Sequence, residues 1–174
     1  MAVFPAIAAQ WGGSNRAGYL YSAMSAGAFA VTVFSGWTKR VERRGAAVVL
    51  AAVVWGAAIA GLASARSLPA AFTYLAVAGA ADMVSGLFRM TIWNETIPAH
   101  LRGRMAGIEQ LGYTSGPLLG NARAGFMAEQ LGLARSIALG GVACMVGVAT
   151  TVPLLPAFWR YRRGDESEGD VTAG

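Results

Sequence analysis

Ionisable side chains are scarce in this chain of 174 residues: 13% are charged and 55% hydrophobic, with a mean hydropathy of +0.48. An ordinary soluble domain carries about 25% charged residues, so the composition argues against a water-solvated fold and for one dissolved in lipid. Cysteine is down to one, Cys144, within the last apolar run, so no intrachain disulfide can form. That residue reads as a small buried hydrophobe. His100 is the sole histidine, which leaves no His and Cys set at metal-ligand spacing and no nucleophile-base triad. There is no glycine-rich phosphate loop followed by Lys and Ser or Thr. Short segments of alternating polarity, which a membrane β-barrel needs, are missing too, because the runs are continuously apolar and rich in alanine. The expectation is a non-enzymatic membrane protein with no cofactor and no metal.

What is present is a strongly patterned set of cations. Lys39, Arg40, Arg43 and Arg44 form one cluster, Arg102 and Arg104 a second, and Arg160, Arg162 and Arg163 a third that follows the last apolar stretch. A net charge of +5 and a pI near 10 would suit nucleic acid if the cations shared one face or alternated with stacking aromatics. They sit instead at the ends of apolar segments, where they meet anionic headgroups and set orientation. Nucleic acid is therefore not an expected partner; the lipid bilayer is.

Windows of about 20 residues mark five apolar spans: Ala17 to Trp37, Ala46 to Ala65, Leu68 to Trp93, Met105 to Gln130 and Ile137 to Trp159. Each crossing reverses the side of the membrane, and on this count all three basic clusters fall on one side, the cytoplasm by the short-loop charge rule. The outer connections carry Arg16, Arg66 and Arg135 singly. Met1 is then outside and Gly174 inside. Trp11, Tyr21, Trp37, Trp93 and Trp159 lie at or near span ends, as an aromatic belt requires. The predicted fold is all-α, a polytopic transmembrane bundle over residues 1–163, with a disordered cytoplasmic tail over 164–174. The opening MAVFPAIAAQWGG has neither the basic region nor the apolar core of a signal peptide. It reads as the last turns of a helix that begins upstream.

The third span carries Asp82, Ser85, Gly86, Arg89 and Trp93 on one side of a helix. Ionisable groups at this depth should face protein or a wet cavity. Two readings stand for Asp82: a proton or cation site, or a structural partner of Arg89 two turns away. In the fourth span Gly112, Gly116, Gly120 and Ala124 recur every fourth residue, with Pro117 among them. Such a stripe packs tightly against a neighbouring helix, or, with a proline to bend it, slides during a conformational cycle. Glu109, Tyr113 and Arg123 lie along nearly the same face. Glu109 is placed to meet Arg89 or Arg102 as a latch, or simply to be solvated. Arg123 is placed to bind an anionic substrate or to snorkel outward. Asn94, Glu95 and Thr96 spell a glycosylation sequon, but at a cytoplasmic position where it has no use.

Two stretches resemble a known family. SGWTKRVERRG (Ser35 to Gly45) is similar to the glycine-and-arginine loop motif of the major facilitator superfamily, and NETIPAHLRGRMAGIE (Asn94 to Glu109) resembles a later cytoplasmic connection, with its Arg102, Gly103, Arg104 core. With ADMVSGLFR (Ala81 to Arg89) and the closing LLPAFWRY, nearly the whole chain resembles the enterobactin-exporter-like branch found in bacteria. The resemblance implies that Gly36, Arg40, Arg43 and Arg44 pin neighbouring helices and help gate access. The acidic residue usual in that motif is absent: Thr38 and Lys39 stand there, and Glu42 is the nearest carboxylate. It further implies the eighth to twelfth helices of a twelve-helix proton-coupled exporter of the bacterial inner membrane with a small-molecule substrate, the chain being a fragment, a truncated product or one part of a split transporter that needs a missing amino-terminal half or a partner chain. Such transporters rock one half against the other around a shared site. The alternative from the residues alone is a scaffold or assembly subunit that uses its glycine-rich helix for association.

Overall fold

The computed structural model describes residues 15–161. The predicted tail, the opening segment with Trp11, and Arg162 and Arg163 lie outside those residues. Helix α1 (Asn15–Val33) leads into a 3-10 turn (Ser35–Arg40), followed by α2 (Arg44–Leu62), α3 (Leu68–Thr96), α4 (Arg102–Leu131), α5 (Leu133–Leu154) and a short α6 (Pro156–Arg160). Every regular element among the described residues is helical.

The helix ends follow local chemistry. Ser67 caps α3 by accepting a hydrogen bond from the Ala70 N–H at 3.4 Å, with Pro69 in the first turn, where its missing N–H costs nothing. At the other end of α3 the guanidinium of Arg102 donates to the carbonyls of Asn94 (2.9 Å) and Ile97 (3.1 Å), satisfying acceptors that a helix terminus leaves open. The predicted last span breaks at Leu155, because Pro156 disfavours the helical conformation in the residue before it. The turn between α4 and α5 is a single residue, Gly132, at φ 84° and ψ 155°, a region open essentially to glycine alone.

Among the described residues three helices, α2, α3 and α5, are long and apolar enough to cross a membrane. This is fewer than the five spans expected from the sequence. The helices α1, with 19 residues, and α4, with 30, have the length but not the apolarity. In α4 the cause is plain: Arg102, Arg104, Glu109, Gln110, Asn121, Arg123, Glu129 and Gln130 dilute its apolar side chains.

The helices pack as an up-down bundle in which α3 lies between α1 and α2, and α2 also contacts α5. A core of Leu20, Ala23, Leu62, Ala71 and Leu75, backed by Leu133 and Ile137, sits at the end that holds the α2–α3 and α4–α5 turns. Close approach occurs at two glycine seams. A Cβ on Gly27 or Gly79 would overlap the Ala76 or Met24 carbonyl across the α1–α3 contact, and one on Gly141 would strike Gly56 and Ala60 across α2–α5. The stripe expected to pack behaves differently: nothing lies within 4 Å of a Cβ built on Gly112, Gly116 or Gly120. The whole of α4 has no buried residue. It leans on α5 beside the Gly132 turn, where the buried Ser136 hydroxyl donates to the Ala124 carbonyl at 2.9 Å.

Candidate functional site

Between α4 and the rest of the bundle lies an open-sided cavity of about 500 Å³. Its walls are largely apolar, with Met24 from α1, Trp55 and Ile59 from α2, and Ile137 from α5. Asp82 enters it from the middle of α3, and Arg123 from α4. These two of the four predicted pathway residues are the only charged side chains lining it among the described residues. Gly116, Pro117, Gly120 and Ala124 also form its wall, so the stripe borders open space where a packed helix was expected. The absence of a side chain at Gly140 gives Arg123 room: a Cβ there would come within 3.0 Å of its Nη2. Asp82 and Arg123 form no ion pair with each other or with another described residue.

The other two predicted pathway residues lie elsewhere. Arg89 is half-buried, and its guanidinium carbon stands 5.3 Å from the centroid of the Tyr113 ring, a cation–π contact that ties α3 to α4. Its Nε is buried with no hydrogen-bond acceptor. Glu109, one turn before Tyr113, is half-buried. Neither the Asp82–Arg89 pair nor a Glu109 latch to Arg89 or Arg102 forms among the described residues. Arg102 is engaged instead in closing the end of α3.

The loop-motif residues gather at the opposite end of the bundle from the Leu20 core. Gly36, Arg40, Arg43, Gly103 and Arg104 are exposed, and only Arg44 is buried. Arg44 forms an ion pair with Glu95 at the end of α3, and the other oxygen of that carboxylate accepts from the Tyr161 hydroxyl at 3.3 Å. The Gly45 N–H donates to the Tyr161 carbonyl at 3.5 Å. One carboxylate therefore joins the start of α2, the end of α3 and the segment after α6. Each charge sits unfavourably on its own helix, a cation at the N-terminus of α2 and an anion at the C-terminus of α3. Because the helices are antiparallel, each also faces the favourable dipole end of its neighbour. Glu42, the nearest carboxylate by sequence, is exposed. Sequence reasoning noted Glu95 only within a sequon and gave neither it nor Tyr161 a role. Topology alone held the signal, since the start of the second span and the end of the third must share one end.

Arg40, Arg43, Arg44, Arg102, Arg104 and Arg160 all belong to that end, while Arg66 and Arg135 belong to the other. The described residues thus form an α-helical bundle with three helices of membrane-crossing length and apolarity, and with their cations polarised toward one end. Comparison with protein-family models, with curated proteins and with solved structures finds no match to this chain.

Proposed function

We propose that the chain is the carboxy-terminal portion of a secondary active transporter of the bacterial inner membrane. In this reading helices α1 to α5 make five crossings with the amino end outside and the carboxy end in the cytoplasm. The transporter exports a small molecule at the expense of a proton gradient. The observation that carries the proposal is that Asp82, from the middle of α3, and Arg123, from α4, line one cavity between α4 and the rest of the bundle. A carboxylate and a guanidinium at such depth are costly in lipid and belong beside a wet path. The polarity of α4 has the same explanation, since a helix that borders an aqueous route need not be apolar all round. Asp82 and Glu109 are the protonatable groups, with Arg89 and Arg123 as their partners in another conformation or as contacts for substrate anions. The missing amino-terminal half covers the outer face of α4, where Ile108, Leu111, Leu118 and Leu119 are 65–71% exposed.

The test is efflux from a bacterium stripped of its own exporters, with this chain expressed together with the coding sequence upstream of it. Dye accumulation should rise when an uncoupler is added to wild type, and should already be high in Asp82→Asn. Uncoupler-sensitive efflux that persists in Asp82→Asn overturns the coupling role. If no dye in a broad panel is exported, the transporter reading fails. A second reading, a scaffold that associates through α4, draws on the open Gly112, Gly116, Gly120 stripe. It predicts that Gly116→Leu abolishes co-purification of a partner with no transport phenotype.

A further inference from the structure

The cavity also speaks to the chemistry of its ligand, an argument that rests on the transporter reading above. Among the described residues its walls offer one negative and one positive side chain, on helices held apart by the cavity itself, the uncharged polar side chains of Asn121 and Ser136, and otherwise apolar surface. The Ser136 hydroxyl is already committed to the Ala124 carbonyl, which leaves it little to offer a ligand. A ligand that is only cationic would satisfy Asp82 and face Arg123 with like charge. A purely anionic one would do the reverse. A neutral apolar ligand would give neither charge a partner. Arg123 is moreover positioned by its neighbours, since its guanidinium occupies the space that a side chain at Gly140 would fill.

We infer that the cavity takes a compact amphipathic zwitterion, with its apolar body against Trp55, Ile59 and Ile137, an ammonium at Asp82 and a carboxylate at Arg123. The volume of about 500 Å³ is in the range of sites for small organic ligands and suits a body of one or two apolar side chains. An ammonium and a proton satisfy the same carboxylate, so this role is compatible with coupling at Asp82.

The probes are four forms of one dipeptide, phenylalanyl-phenylalanine: free, amidated, N-acetylated, and both. Each is titrated calorimetrically, up to millimolar concentration, into the full chain in detergent, with helix content and melting checked for every variant. Wild type should bind the free dipeptide roughly tenfold or more tightly than either singly capped form, the yield of one charge-assisted contact. Asp82→Asn should bind the free and N-acetylated forms alike, and Arg123→Gln the free and amidated forms alike. Gly140→Val, which leaves both charges in place but displaces the guanidinium, should behave as Arg123→Gln does. A wild type that ranks the four without regard to their end charges, or that binds none of them, overturns the inference. The same holds if the amidated form binds as tightly as the free one. Charge-selective binding without uncoupler-sensitive efflux would sink the transporter reading alone. Dye efflux that the free dipeptide fails to inhibit, together with unselective binding, would sink this one alone.

Discussion

Neutralising Glu95 should destabilise the bundle more than neutralising the arginine it pairs with. The side chain of Arg44 is 9% exposed and that of Glu95 35%. At an effective dielectric constant of about 20, two unit charges in contact attract by about 4 kcal/mol, much of it offset by desolvation. Truncating one member of a fully buried pair costs about 3–5 kcal/mol, because the other charge is left stranded. Glu95 is a third exposed, so a value near 2 kcal/mol is expected for Glu95→Gln, which leaves Arg44 buried without its carboxylate partner. Arg44→Gln leaves Glu95 with solvent and with the Tyr161 hydroxyl, and should cost about 1 kcal/mol, in line with an ordinary hydrogen bond lost. The double variant should then lie well short of the sum, because the stranded charge is gone. Reversible unfolding in mixed micelles, followed by circular dichroism, supplies the three free energies. Equal single effects that simply add in the double variant would refute the reasoning, since they would mean that Arg44 and Glu95 act independently.

Gly132→Ala should cost about 1–3 kcal/mol in the same assay from its strained backbone, whereas Gly125→Ala, inside α4 with nothing within 4 Å of the new methyl group, should leave stability unchanged or raise it by up to about 1 kcal/mol; equal melting of the two would contradict the turn geometry. Gly79→Ala and Gly141→Ala should each lower the melting temperature, because the new methyl group meets backbone across the α1–α3 and α2–α5 contacts. Gly116→Ala should leave melting unchanged or raise it, and a reversed order would argue that α4 packs within the chain. Orientation is accessible by cysteine labelling in a Cys144→Ala background: His100→Cys should react with an impermeant maleimide only in inside-out vesicles, and Ser67→Cys only in intact spheroplasts. Labelling of both from one side would break the up-down alternation.

Much of the helical layout was legible in the sequence. The third helix begins at Leu68 as expected, and the second and fourth match within a few residues. Apolarity sustained over 20 or so residues, ended by cations and proline, is a local signal that needs no knowledge of neighbours. The reading failed where helices meet. The Gly112 to Ala124 stripe has the right spacing for packing, yet the glycines that pack are Gly27, Gly79, Gly56 and Gly141. Spacing states that a flat face exists, not which helix arrives at it. The Glu95 carboxylate was given no role for a similar reason, as it lies 51 residues from Arg44.

The sequence by itself determined the apolar character of the long helices, the helical class and the polarisation of charge, because hydropathy and helix propensity are properties of short stretches. Tertiary structure decided which residues meet: Arg44 with Glu95, Glu95 with Tyr161, and Arg89 with Tyr113, while Asp82 and Arg123 line one cavity without touching. Each pairing depends on the rotation of a helix about its axis and on how closely it approaches its neighbour. Those are set by packing between residues far apart in the chain, at close approaches such as Gly27 on Ala76 and Gly141 on Gly56.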